Sequence, residues 1–334
     1  MKDIWLSTRY SGAGPAGDTL PFDLPLVHAE PTSHGRLILA LIAASVAALA
    51  VLMYAAELVI DPFGDGTLPY YAAGIVVLAL VLSAQRVAPR HGRAIADAAE
   101  YYGVFAVITL TGAVACYPVA ALTSGFHDAA LQRIDSALGF DWLAWYRIVA
   151  AHPLLQRLGV VAYCSIFITP AVLLGWFAWR DDRAGAHRFI LTFWLAAAIT
   201  LSLYVLMPAV GPFSYLWHGP IPYLPESEMW QAGLIPALRA HQVHVIDLGH
   251  LRGLVSAPSF HTVAAVLFIH AAWRHRDLRW PVLAINLAML LATPVEGTHY
   301  LADMMLGAAV AAVAILAVGL LFPAEAARQS NTQV

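Results

Sequence analysis

Charge is scarce in this chain: only 12% of its 334 residues are Asp, Glu, Lys or Arg, against 60% hydrophobic residues, and the mean hydropathy is +0.69. That balance excludes an ordinary water-soluble globule and reads as an all-α integral membrane protein with many spans. A net charge of −3 supplies no basic field for nucleic acid, so that class of partner is set aside. Cysteine is nearly absent. Cys116 and Cys164 both fall inside apolar runs, where a small hydrophobe is expected rather than a disulfide or a metal ligand. The chain also lacks internal repeats, low-complexity tracts and any carboxylate cluster suited to magnesium or calcium. Catalysis without metal or cofactor is therefore expected.

What the chain has in abundance is long apolar runs. About eight spans are expected, near 37–60, 68–85, 101–122, 157–178, 187–207, 260–273, 279–295 and 300–322, with the short sixth beginning earlier, near Leu254. Residues 1–35 are polar and punctuated by Pro and Gly, without the apolar core and small-residue cleavage site of a signal peptide, and read as a cytoplasmic segment. Two spans within 36–98 then precede a unit over 99–323, and 324–334 form a second cytoplasmic tail.

The basic residues orient the spans. Lys2, Arg9 and Arg36 precede the first; Arg86, Arg90 and Arg93 follow the second; Arg180, Arg183 and Arg188 follow the fourth; Arg274, Arg276 and Arg279 follow the sixth; Arg328 follows the last. Short cytoplasmic loops collect Lys and Arg, so both termini are expected in the cytoplasm of a multi-pass inner (plasma) membrane protein. The other face keeps Arg133, Arg147, Arg157, Arg239 and Arg252. It also has the two long loops. The first, about 123–156, carries amphipathic helix whose Trp142, Trp145 and Tyr146 suit the headgroup belt. The second, about 208–256, opens with the helix-breaking MPAVGPFSYLW, and its His241, His244, Asp247 and His250 have a spacing that a zinc site could use, although loop histidines imitate such sites often.

Chemistry concentrates between Ser256 and Asp303. The interval from His261 to His299 is about what two spans of roughly 20 residues each consume, so the chain crosses and returns and both imidazoles end on one face, the outer one. Asp303 follows His299 by one helical turn, which stacks the two side chains and lets a carboxylate hold one ring nitrogen while the other stays free to attack. Ionisable groups at membrane helix ends mark chemistry or transport. An enzyme facing outward has no cytoplasmic ATP, so a lipid-borne phosphate is the natural source of energy.

Pro258-Ser259-Phe260-His261 opening one span, and Gly297-Thr298-His299 with Asp303 opening the span after next, resemble the second and third motifs of the type 2 phosphatidic acid phosphatase superfamily. The resemblance implies a six-helix core carried by spans three to eight. It makes His299 the nucleophile on phosphorus, Asp303 its orienting partner and His261 the acid that protonates the leaving oxygen. Phe260, the PAVGP turn and the DAALQRIDSALGFDW loop look more like the inositol phosphorylceramide synthase branch, which moves a phosphorylated headgroup between lipids. The chain departs from the family in its cations. Thr293 stands where the third motif usually has Arg, and neither Pro208 nor Pro212 is preceded by the first motif's Lys and Arg. Replacement phosphate donors are expected among Arg252, His250, Ser259 and the backbone N–H groups of Gly297 and Thr298.

Three readings follow. The first is a transferase that takes a phosphoryl or inositol-phosphate headgroup from a phospholipid donor to a lipid or glycan alcohol acceptor. The second is a lipid phosphate or polyprenyl diphosphate phosphatase. The third is a transporter or scaffold, disfavoured because the ionisable groups sit at helix ends rather than at the midplane. Gly307 and its neighbouring alanines permit close helix approach, which serves internal packing or a dimer equally, and oligomeric state is left open.

Overall fold

The computed structural model describes residues 33–88 and 91–322; Lys2, Arg9, Arg90, Arg328, nearly all of the polar N-terminal segment and the C-terminal tail lie outside them. In chain order the helices are α1 (Ser33–Ala55), α2 (Leu68–Val87), α3 (Gly92–Ala121), α4 (Asp128–Ala137), α5 (Trp142–Ala151), α6 (Pro153–Cys164), α7 (Thr169–Trp179), α8 (Arg183–Tyr204), α9 (Pro212–Leu216), α10 (Trp230–Arg239), α11 (Phe260–Ala272), α12 (Arg276–Glu296) and α13 (Leu301–Leu321). The sole sheet among the described residues pairs β1 (Val59–Ile60) with β2 (Val245–Ile246) in parallel. The protein is thus an all-α membrane protein. By length and apolarity α1, α3, α8, α12 and α13 can each cross a bilayer, and α6 with α7 makes a sixth crossing if counted as one bent span. The apolar stretch Leu68–Ala84 and α11 are shorter, so eight apolar segments stand where eight spans were expected, but only five or six have full spanning length.

Two boundaries differ from the sequence expectation, each for a local reason. The fourth apolar run is broken: α6 and α7 meet at 44° across a short 3-10 turn, Ser165–Phe167. Pro170, in the first turn of α7, has no N–H to continue the ladder. The hydroxyls of Ser165 and Thr169 instead donate to the Ala162 and Ser165 carbonyls. The sixth run does not begin near Leu254. Pro258 disfavours helix at the residue before it, and Ser259 caps α11, its Oγ accepting from the Thr262 N–H at 3.4 Å.

α11 is the axis of the bundle. Val263, Ala264, Leu267 and Phe268 are all buried, in a core shared with Phe105, Phe177, Phe189 and Phe193 of the surrounding helices. Its start brings His261 to one end of the bundle, where α12 finishes and α13 begins. At the opposite end gather Arg180, Arg183, Arg188, Arg274, Arg276 and Arg279. The ion pairs there, such as Arg183 with Glu100 at 3.0 Å and Arg93 with Asp181 at 3.3 Å, are partly or largely exposed and worth about 0–1 kcal/mol each. Packing, not charge, holds that end together.

The loop of residues 123–156 is helical, as its pattern suggested, but its aromatics are not belt residues. Trp142 and Tyr146 are buried and stack on each other with centroids 5.3 Å apart, beside Phe213. The Trp142 indole N–H donates to the Pro294 carbonyl at 2.6 Å, and the Tyr146 hydroxyl donates to the Tyr223 carbonyl at 2.6 Å. Of the three, Trp145 alone is exposed. Trp142→Phe, which removes one buried hydrogen bond and part of the ring, is expected to lower stability by about 1–2 kcal/mol, read as thermal unfolding in detergent.

Candidate active site

The last turn of α12 closes on itself. The N–H groups of Gly297, Thr298 and His299 donate to the carbonyls of Thr293, Val295 and Pro294 respectively, and Thr298 adopts a left-handed φ of 50°. A β-branched residue there is strained, which marks a turn whose direction matters. The reversal brings His299 back over the helix end. The same bonds occupy the backbone N–H groups of Gly297 and Thr298, so those expected phosphate donors are already engaged. Ser259 Oγ accepts in the cap of α11, which leaves its O–H to donate, and the hydroxyl of Thr298 has no partner in the protein.

His299 Nδ1 lies 3.1 Å from Asp303 Oδ1, with His299 nearly and Asp303 fully buried. Asp303 Oδ2 accepts from the Tyr300 N–H at 3.0 Å, fixing the carboxylate against the first turn of α13. The His299–Asp303 contact is short but not aligned as a hydrogen bond, and a proton on Nδ1 would complete it and leave the lone pair on Nε2. The His261 ring centroid is 6.5 Å from that of His299, at 54°. One phosphorus with reacting atoms roughly 3–3.5 Å from each ring fits such a gap. The crossing hairpin read from the sequence therefore does bring His261, His299 and Asp303 together.

Three residues that sequence reasoning passed over complete the surroundings. Tyr163 stacks on His261 at 3.9 Å and 15°, and its ring also bears on Gly297, so it sets the plane of the imidazole. Ser256 is buried at the end of the extended stretch before Pro258. Gly211, with φ of 87°, has its backbone so close to the Thr298 carbonyl that an added Cβ would sit 2.8 Å from that oxygen, 3.1 Å from Thr298 Oγ1 and 3.5 Å from Ser256 Oγ. The PAVGP turn thus lies against the site. His261 Nε2, Ser256 Oγ and Thr298 Oγ1 are all buried without a hydrogen-bond partner in the protein. Buried polar atoms are seldom left so, and here they cluster around a candidate nucleophile.

The loops hold this arrangement with carboxylates. Asp128 accepts from the N–H groups of Val210 and Gly211 and from the Tyr300 hydroxyl, each at 3.0 Å. Asp135 accepts from the Leu301 and Ala302 N–H groups at 2.9 and 2.8 Å, at the positive end of α13. Burial pushes both carboxyls above the ordinary range, and the N–H donors pull them part of the way back. On the other side Tyr223 donates to both Glu296 oxygens, at 2.9 and 2.8 Å, while the Ser227 hydroxyl donates to the Gly297 carbonyl. The turn that carries His299 is clasped from both flanks.

The expected cations are elsewhere. Arg252 and His250 line a cavity whose wall includes neither His261 nor His299. Thr293, standing at the family's arginine position, is buried and donates to the Met289 carbonyl of its own helix. The loop histidines are paired rather than clustered: His241 and His244 approach Glu57, and His250 contacts Asp247 at 2.7 Å, holding that carboxyl below its usual range. Among the described residues no three His, Cys, Asp or Glu side chains group as metal ligands.

No curated protein and no solved structure matches this chain. The family described as the PAP2 superfamily does match, over residues 129–317, which run from α4 through the histidine site to α13 and make up more than half of the sequence. With the two histidine motifs and the carboxylate in their family places, the chain belongs to the PAP2 superfamily, the type 2 phosphatidic acid phosphatases.

Proposed function

We propose that the protein is a lipid phosphotransferase that moves a phosphorylated headgroup, of the inositol-phosphate type, from a phospholipid donor to an alcohol acceptor at the outer face of the inner (plasma) membrane. Membership of the superfamily supports lipid phosphatase or phosphotransferase chemistry broadly. The observation that carries the reading is the pair of imidazoles 6.5 Å apart, one steadied by a buried carboxylate. His299 Nε2 forms a bond to phosphorus as the bond to the diacylglycerol oxygen breaks, and His261 protonates that oxygen. The acceptor hydroxyl then attacks the phosphohistidine, returns its proton to His261 and leaves His299 free. Both histidines are thereby restored to their starting state.

The developing charge on the phosphorane needs donors in a dry site. Ser256 and Thr298 answer the missing cations, since their hydroxyls are buried, unpartnered and on the same side of Gly211. Ser256→Ala is expected to reduce kcat by about 10²-fold with little change in KM, as for loss of one oxyanion donor. An unchanged kcat would remove Ser256 from the site.

The outward orientation rests on the arginine-rich end lying opposite the histidines, in accord with the positive-inside rule. Transferase and phosphatase are separated by supplying purified protein in detergent with labelled phosphatidylinositol, with and without ceramide or diacylglycerol of distinguishable chain length. Acceptor-dependent labelled lipid is expected, with the rate unaffected by EDTA. Inositol phosphate released regardless of acceptor would establish hydrolysis in place of transfer, inorganic phosphate released from phosphatidic acid supplied instead of phosphatidylinositol would establish the phosphatase, and inhibition by EDTA would overturn metal independence.

A further inference from the structure

Away from the histidine pair, α10, β2 and the residues after it line an open cleft of about 580 Å³, whose walls include Tyr117, Trp230, Val245, Asp247, His250 and Arg252. We propose that this cleft is a recognition site for the phosphate ester of a second lipid headgroup, seated beside the lipid whose phosphorus is attacked, with Arg252 as its anion-binding side chain and Trp230 as the platform that holds it. This deepens the phosphotransfer reading and rests on it, because a transferase must seat a second lipid besides the one it cleaves.

The Arg252 guanidinium lies over the Trp230 indole, 3.9 Å from the ring centroid. Among the described residues no ion pair joins it to a carboxylate; the acid on the same wall, Asp247, is engaged by His250 at 2.7 Å and by the Gly249 N–H at 2.8 Å. A guanidinium stacked over an aromatic ring keeps its N–H edge available, and that planar edge matches two phosphate oxygens at once. Most of the remaining wall is apolar, so an anion placed in the cleft would meet one fixed cation. The volume is in the range of small-molecule sites.

The cleft is also built rather than incidental. The Arg252 N–H donates to the Tyr117 hydroxyl at 2.8 Å, and Gln231 Nε2 donates to the Gly253 carbonyl at 3.0 Å, fixing the segment to α3 and α10. Its outer wall, β2, is paired to β1, and the Tyr70 hydroxyl donates to the Leu248 carbonyl at 3.1 Å. This gives α1 and α2, which the family match leaves out, a role in bracing that wall. Met229 and Trp230 directly continue the strap in which Tyr223 and Ser227 grip Glu296 and Gly297. One continuous stretch therefore joins the cleft to the turn that carries His299.

The test reads binding without turnover, in the full chain carrying His299→Ala. Two probes are titrated in detergent, soluble inositol 1-phosphate and short-chain phosphatidylinositol, against that protein and against the same protein with Arg252→Gln, Arg252→Lys or Trp230→Leu. Arg252→Gln is expected to weaken at least one probe by about tenfold or more and Arg252→Lys by less, since a point charge replaces the fork, with thermal unfolding unchanged. Trp230→Leu should fall between them. Arg252-dependent binding of both probes identifies the phosphate ester itself as what is recognised, and dependence for the lipid alone identifies a membrane headgroup. Equal affinity with and without Arg252, or no saturable binding of either probe, overturns the proposal. Arg252-dependent binding by a protein whose wild-type form transfers no phosphate from any phospholipid would instead sink the phosphotransfer reading, so the two failures are told apart.

Discussion

His299→Ala is expected to lose about 10⁴-fold or more of turnover on any phospholipid substrate, the largest effect of any substitution in the chain. The proposed nucleophile has Nδ1 standing 3.1 Å from Asp303 Oδ1 and its ring facing that of His261. Truncation also leaves Asp303 buried with one oxygen unpaired, so a drop in stability would confuse the reading. His299→Gln avoids this, because an amide can still donate to Asp303 but cannot act as the nucleophile. Equal loss in both variants, with native-like unfolding of His299→Gln, assigns the defect to chemistry. Substitution of Asp303 together with His299 should cost little beyond His299 alone, since the two act as one unit. Turnover within tenfold of wild type in His299→Gln would leave the site without its nucleophile.

Gly307→Ala is expected to be nearly as damaging, although Gly307 touches no reactant. α13 crosses α11 so closely there that an added Cβ would overlap the Ser259 carbonyl oxygen and lie 3.2 Å from Thr262 Cβ. The obstructing atom is backbone, so nothing can rotate out of the way and the two helices must part. Such overpacking costs about 1–3 kcal/mol. These are the helices that carry His261 and Asp303, and a displacement of roughly 1 Å at reacting groups can cost about 10²-fold in rate. Gly319→Ala on the same helix is the control. Nothing lies within 4 Å of its added Cβ, so stability should be unchanged or slightly raised. Wild-type unfolding and turnover in Gly307→Ala would contradict the close crossing. The small-residue seam read from the sequence serves packing inside the fold at this position.

The sequence made the site's centre legible because two local rules reach it. Span length alone places His261 and His299 on one end, and helical spacing alone places Asp303 on His299. The surrounding residues obey no local rule. Tyr163 comes from α6 and Ser256 from an extended stretch, and their meeting at the histidines depends on helix packing across most of the chain. Asp128 and Asp135 look like the polar face of an interfacial helix until the turn at Val210 and Gly211 and the start of α13 come to rest on them.

Two misreadings have the same origin. Trp142 and Tyr146 have the composition of a headgroup belt, but an aromatic with a polar tip suits a buried contact equally well when a carbonyl such as that of Pro294 or Tyr223 awaits it. Arg252 was placed at the reacting phosphate because it precedes Pro258 by a few residues. In the structure those residues run outside any helix, and an extended run of six residues covers roughly 20 Å, enough to separate a side chain from a site it adjoins in sequence. The fourth span's break was likewise hidden, since Pro170 in an apolar run is compatible with a kinked helix as well as with a turn.

The central claim is that phosphorus passes through His299. The most direct measurement is rapid quenching of wild-type protein with phosphatidylinositol labelled in its phosphate, with no acceptor present, followed by peptide mapping under alkaline conditions that preserve a phosphorus–nitrogen bond. An acid-labile, alkali-stable label is expected on the peptide containing residue 299, absent in His299→Gln and discharged into lipid product when an alcohol acceptor is added. A label that survives in His299→Gln, or steady turnover with no protein-bound label in wild type, would contradict it.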